Sequence, residues 1–370
     1  MDGRNVVSII LDEAFRQQAR VCHEQAQSEP LLSGSGLTIG HLSEEYDTPV
    51  PVWAVGPFHL EPLLTFQKSR DWADPLEIGW GSSTFLWNPT VIEHHGALHL
   101  FYRAGPRKES LSSRIGLAVW RDRRWTDYGG NPVIYPRHES EVFGCEDPKI
   151  YKADDVFYLF YNGVYPLAPQ RGPLLRGERF EASLGCDINL AVSRDLVHWE
   201  RLGLVVPHEV SRFWAKGAVI GRNGAGEAVR WHGQYVMFIS EGCGNQQYLG
   251  FSKDLVQWTF EPRTFLTLPA GWGRIHEVAC VIVNGSQWVM DVYYRTLMGE
   301  PAACQVLYDP NELTTPQAFH RGGTLAWGGL ITFHGQWLLA QGWDANPGTQ
   351  AMYFYTAPRT APDSISGTAR

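Results

Sequence analysis

At 370 residues the chain is too long for a small disulfide scaffold, and 44% hydrophobic against 19% charged residues excludes a disordered one. Its 31 basic and 39 acidic residues give a net charge of −8 with no long basic run, which disfavours a nucleic-acid partner. The 38 glycines, 23 prolines and 15 tryptophans describe a turn-rich, aromatic-rich chain of the kind often built from β-structure and often used on sugars.

Residues 7–27 read as a helix on the outside of the main body, because Val7, Ile10, Leu11, Ala14, Phe15 and Ala19 recur at three- and four-residue steps. Residues 28–60 are rich in Gly, Pro and Ser and read as irregular. The first residues lack the basic-then-apolar pattern of a leader, and no apolar run approaches the ~18 residues of a membrane span. The six cysteines are scattered without a CxxC pair, which argues against a cysteine zinc site. The expectation is a soluble cytoplasmic protein with free thiols and no membrane partner.

From about residue 80 two kinds of segment alternate. The first kind occurs at 88–103, 146–162, 227–240, 276–295 and 328–344: a polar start, an apolar strand, a tight turn (often His-Gly or Asn-Gly) and an aromatic-rich strand. The second kind follows each copy, at 114–125, 187–199, 248–258, 303–313 and 351–360, and reads as a strand, a turn and a short outer strand. Hairpin plus hairpin makes a four-stranded unit, and five such units predict an all-β fold: a five-bladed β-propeller with a short N-terminal helical extension. The expected division is a helix and irregular arm over 1–60 and one propeller over 61–370. The stretch 164–186 is too long for a routine hairpin loop. It reads either as a surface excursion or oligomer contact, or as a rim of the substrate pocket.

In a propeller the first strand of each blade lines the central channel, so the residues that begin those strands converge on one mouth. They are Asn88, Glu146-Asp147, Glu227 and His276-Glu277, with Asp344 late in the last copy. Carboxylates gathered around a cleft are the chemistry of glycosidic bond cleavage: one protonates the leaving oxygen, another activates water or attacks. Crowding them in a partly buried cleft raises at least one pKa. Trp80, Trp87, Trp214, Trp272, Trp327 and Trp343 lie near strand ends and are candidate platforms for sugar rings. The histidines show no HExxH or His-x-His spacing, so no metal site is expected. The glycine-dense 221–226 lacks the Lys-Ser/Thr ending of a nucleotide loop.

These features resemble the five-bladed glycosidases of the arabinanase, levansucrase and invertase type, and most of all glycoside hydrolase family 130, the mannoside phosphorylases. The resemblance rests on Asn88-Pro89, Leu100–Gly105 (LFYRAG), Ser113–Val119 (SRIGLAV), Asn131–Pro136 (NPVIYP), Gly144–Ile150 (GCEDPKI) and Ser193–Gly203 (SRDLVHWERLG). It implies Asp147 as the general acid of an inverting reaction, its proton relayed through a sugar hydroxyl. It also implies Arg103, Lys216 and Asp344 as substrate-lining residues. Arg274 falls where the phosphorylases contact phosphate with a lysine, and Tyr293 where they use a histidine.

Two departures bear on the reaction. His276-Glu277 replaces a Gly/Pro-rich stretch, and Glu227 follows a glycine-rich insertion. A carboxylate repels phosphate but can deprotonate water. The first reading is therefore an inverting glycoside hydrolase, acting on an oligosaccharide such as a β-mannoside, with Asp147 as acid and Glu227 or Glu277 activating water. The second is an inverting β-mannoside phosphorylase with inorganic phosphate as co-substrate and no cofactor. The third is a non-catalytic sugar-binding propeller.

Overall fold

The computed structural model describes residues 13–28, 47–81, 85–106, 112–167, 184–323, 329–341 and 351–359. The alternation in the sequence becomes antiparallel hairpins. His95-Gly96, His232-Gly233 and His334-Gly335 each carry two consecutive positive φ angles (51° and 73°, 46° and 82°, 48° and 80°). This is the backbone of a two-residue turn whose twist matches the strands it joins, and glycine enters its left-handed second position without a Cβ clash.

The hairpins assemble into up-and-down units. The first runs Phe85–His94, Ala97–Gly105, Arg114–Arg121 and Arg124–Asp127. The second runs Gly144–Ala153, Val156–Pro166, Leu184–Ser193 and Glu200–Leu204. The third runs Val219–Arg222, Gln234–Ile239, Tyr248–Ser252 and Thr259–Pro262. The fourth runs Arg274–Asn284, Gln287–Arg295, Pro301–Asp309 and Glu312–Arg321. Gly329–Phe333, Gln336–Gln341 and Ala351–Ala357 begin a last one.

The first strands lie next to one another. Those of the third and fourth units pair in parallel at Gly221–Val281 and Arg222–Ile282. Tyr151 of the second unit donates its hydroxyl to the Ala218 carbonyl (2.8 Å) and accepts from the Ile220 N–H (2.9 Å). Lys149 crosses to the Ala279 carbonyl of the fourth unit (3.1 Å). Apolar side chains of neighbouring units fill the space between sheets, as where Ile92 and Phe101 pack with Ile150, Leu159 and Tyr161.

Three expectations change. The strand beside Ala351–Ala357 comes from early in the chain: His59–Leu60 pairs with it, as does Phe66–Gln67. Joining an early strand to the last sheet covers an edge that would otherwise face solvent unpaired. The expected boundary between residues 60 and 61 therefore cuts through a strand pair, and part of the irregular arm is built into the body. Val55 reinforces this, exchanging backbone hydrogen bonds with the Gln305 side chain (2.7 and 2.8 Å). Finally, the first strand of the third unit is Val219–Arg222, not the stretch beginning at Glu227, because the four residues of the former are all buried and Glu227 is exposed.

The expected helix spans Glu13–Ser28, and residues 7–12 lie outside the described part. Its buried stripe of Phe15, Ala19, Cys22 and Ala26 packs in one cluster with Trp72, Leu76, Ile78 and Trp80. The helix thus sits on its own chain, with His23 Nδ1 2.8 Å from the buried Ser112 hydroxyl.

Candidate active site

The first strands are interrupted where the candidate residues stand. Regular pairing breaks between Trp87 and Thr90 and again between Glu146 and Lys149. Each break holds an X-Pro step, and proline has no N–H to give the ladder. Asn88 and Asp147, the residues before those prolines, take φ angles of 44° and 54°. A bulge of this kind re-aims a side chain out of the alternation. In the third unit Gly217 (φ 69°) occupies the matching place, between Ala215–Lys216 and Val219–Arg222. In the fourth, pairing shifts between Ile275 and Glu277 and between Val278 and Cys280.

The bulges bring residues from distant parts of the chain together. Arg103 contacts Glu146 (2.8 Å) and Asp147 (3.1 Å), and Lys216 contacts the same two carboxylates (2.7 and 3.1 Å). The Asn88 amide donates to Asp147. Two carboxylates face two cations, so the buried charges offset one another, which burial requires. The Asp147 side chain is 13% exposed and that of Glu146 is 2% exposed. Asp147 therefore faces the opening while Glu146 stays behind it. Burial would raise the Asp147 pKa, but Lys216 and Arg103 hold it down to about 2.

A second group adjoins the first. Glu241, His276 and Glu277 have donor atoms within 4.8 Å of one another. By type these could ligate a divalent ion, but the surroundings are cationic: Lys149 lies 3.6 Å from Glu277, and the charges of Arg295 and Lys216 act on His276. Burial, then the Glu277 charge, push Glu241 up to about 8. Burial, then Arg295 and Lys216, push His276 down to about 4, so its imidazole is neutral. Tyr293 is buried beside it, ring edge to face at 4.7 Å. A Cβ on Gly217 would stand 3.1 Å from Glu277 Oε1, so the missing side chain leaves room for that carboxylate.

The structure thus brings together Asn88, Arg103, Glu146, Asp147, Lys216, His276, Glu277 and Tyr293, with Arg274 at the outer end of the fourth-unit strand. It sets Glu227 apart. That residue is exposed, accepts from the Asn223 amide (2.8 Å) and bridges Lys152 at the far end of the second unit's first strand. Asp344, Trp327, Trp343 and residues 168–183 of the long loop lie outside the described residues. Trp80 and Trp87 are buried core rather than platforms. Trp214 is half-buried with Lys216 5.7 Å from its ring. Trp272 stacks on Tyr294 in the fourth unit.

Glu241 was missed by sequence reasoning. It begins the short strand Glu241–Gly242 just beyond Gln234–Ile239 and pairs with Lys216, as Arg103 pairs with Trp87. The signal was available: second-strand residues opposite the bulges also reach the mouth.

Arg103 is held from behind. Its Nε donates to the buried Ser113 hydroxyl (2.8 Å), and Trp87 lies under the guanidinium at 4.9 Å. Replacing Ser113 with Ala leaves that N–H without its acceptor, at a cost of about 1–3 kcal/mol. The expected outcome is a lower melting temperature together with a several-fold loss of turnover, read by thermal melts and steady-state kinetics.

Residues 78–171 match the family model Glyco_hydro_130, described as beta-1,4-mannooligosaccharide phosphorylase. A 1,2-beta-oligomannan phosphorylase of Thermoanaerobacter sp. (strain X514) is 28% identical over 223 residues, 57% of this chain. The chain aligns with 61% of that relative's length. Among solved structures, one from the GH130 glycoside hydrolases that target beta-1,2 mannosidic linkages in Candida mannan superposes with a TM-score of 0.64 at 19% identity, over 85% of this chain and 98% of that one. The beta-1,2-mannobiose phosphorylase of Listeria innocua gives 0.58 at 15% identity, over 85% and 97%. The resemblance read from the sequence therefore holds: the chain is similar to family 130, and its all-β fold is of that kind.

Proposed function

We propose that the chain is a five-bladed propeller glycosidase that hydrolyses β-mannosides with inversion, Asp147 acting as the acid and Glu277, with Glu241 beside it, activating water. The four-stranded units and the early strand completing the last one support five blades. One observation carries the reaction type: Glu241 and Glu277 lie together, close enough for the Asp147 charge to act on Glu241, where a phosphate nucleophile would need cations. Of the cations around this group, Arg103 and Lys216 are already engaged with Glu146 and Asp147, and Lys149 with Glu277, while Arg274 and Arg295 stand at the outer end of the hairpin.

The proton balance follows. Without substrate Asp147 is ionised by its two cations. A sugar hydroxyl that takes over part of the hydrogen bonding of Arg103 and Lys216 lets Asp147 take up a proton from solvent. Asp147 gives that proton through the hydroxyl to the leaving oxygen as the glycosidic bond breaks, while water bonds to the sugar carbon and gives its proton to Glu277. Lys149 lies 3.6 Å from Glu277 Oε1.

The phosphorylase reading draws on the names of the relatives. Incubation with β-1,2- and β-1,4-mannobiose, with and without phosphate, separates the two. Free mannose formed at the same rate without phosphate is the expected result. Mannose 1-phosphate formed only with phosphate would overturn the hydrolase. The six cysteines are all buried with free thiols, which supports a reducing, cytoplasmic setting as part of the same proposal. No helix among the described residues is long and apolar enough to cross a membrane.

A further inference from the structure

Arg274 and Arg295 stand directly opposite each other on adjacent antiparallel strands. Like charges in that register repel, and a bound counter-charge relieves the repulsion. None of the ion pairs among the described residues involves either arginine. Glu300, in the turn that follows Arg295, hydrogen-bonds through its backbone to Thr296 and pairs with neither.

The two arginines line an open cavity of about 510 Å³ together with Gly273, Thr296, Leu297 and Gly299. Its shape is fixed by the backbone. Gly273 has a φ of 130°, and a Cβ there would lie 2.0 Å from the Arg295 carbonyl oxygen. Arg295 donates to the Gly299 carbonyl (3.4 Å), and its guanidinium lies 5.4 Å from the Tyr293 ring centre. Leu297 at the rim is 75% exposed.

This cavity adjoins the reacting centre without coinciding with it. Arg274 and Arg295 form the outermost pair of the hairpin, and Glu277 pairs with Tyr293 further in. The positive charge of both arginines nevertheless reaches His276.

We propose that Arg274 and Arg295 form a subsite for an oxyanion carried by the glycoside itself, so that the preferred substrate bears a carboxylate or phosphate ester near its mannosidic bond. This rests on the glycosidase reading above. Guanidinium groups match such oxyanions with paired N–H donors. An anion bound here balances the opposed charges, while the carboxylates around Asp147 stay clear of it.

The test compares turnover of mannobiose with mannobiose 6-phosphate, and of phenyl β-mannoside with its 4-carboxyphenyl counterpart. At least one anionic member is expected to have a kcat/KM roughly tenfold higher, equal to about 1.4 kcal/mol. Arg274→Gln and Arg295→Gln are expected to erase that ratio, and about 0.5 M salt to shrink it. Equal values within both pairs, or a preference that survives the double variant, would overturn the subsite. So would mannose 1-phosphate formation from inorganic phosphate, which would assign the arginines to a co-substrate. If nothing is turned over, the hydrolase reading fails by itself. Calorimetric titration then still reads the subsite: mannose 6-phosphate binding more tightly than mannose supports it, and equal or absent binding refutes it.

Discussion

Replacing Asp147 by Asn is expected to lower kcat by about 10²-fold or more, the range for losing general acid catalysis, while the protein stays folded. The reason is positional. Asp147 and Glu146 share the same two cations, but only Asp147 is turned toward the opening by the bulge at Pro148. The Asn side chain keeps the shape and the neighbourhood of Asn88 and Lys216, so a loss of activity without collapse reports chemistry. Glu146→Gln is the control. It removes a charge that is wholly buried against Arg103 and Lys216, and breaking such a pair destabilises strongly. That variant is expected to melt lower than Asp147→Asn yet keep a kcat at least tenfold higher. An Asp147→Asn effect below about threefold, or equal kinetic losses in the two variants, would remove Asp147 from the role of acid.

Much of this site was legible in the sequence because its chemistry is periodic. A polar residue before each first strand, repeated at the spacing of the units, marks Asn88, Glu146-Asp147 and His276-Glu277 as neighbours although they lie far apart in the chain. The same logic failed at Glu227 for a physical reason. Residues 215–240 hold two apolar stretches ahead of the His-Gly turn, and sequence alone does not say which one turns inward. Burial decides it: Val219–Arg222 is enclosed by the second and fourth units, and the stretch from Glu227 is left as a side excursion. Lys216 and Gly217 then take the mouth position. Pairing of His59–Leu60 with Ala351–Ala357 was not legible at all, because it joins the ends of the chain and follows no repeat. Glu241 was hidden because it lies just beyond a second strand, and its raised pKa comes from burial and then from Glu277, a residue of another unit.

That dependence makes the glutamate pair the most informative place to substitute. Glu277→Gln is expected to cost about 10²-fold or more in kcat, since an amide cannot take a proton from water. Glu241→Gln is expected to cost less than about tenfold at neutral pH, because the amide resembles the protonated carboxyl already present there. The two differ in stability as well. The folded-state pKa of Glu241 is about 8 against an ordinary 4.5, so between those values the folded protein holds a proton that the unfolded chain has lost. Stability therefore falls as pH rises from about 5 to about 8. Asp147, shifted the other way, gives up its contribution only below about pH 4 and does not mask this window. Melting temperatures of the wild type are expected to decline by several degrees more across pH 5–8 than those of Glu241→Gln. In Glu277→Gln the decline is also expected to flatten, because the neighbouring charge that helps hold the proton on Glu241 is gone. Parallel melting profiles in all three proteins would mean that the two carboxylates do not interact. The case for a water-activating pair would then rest on Glu277 alone.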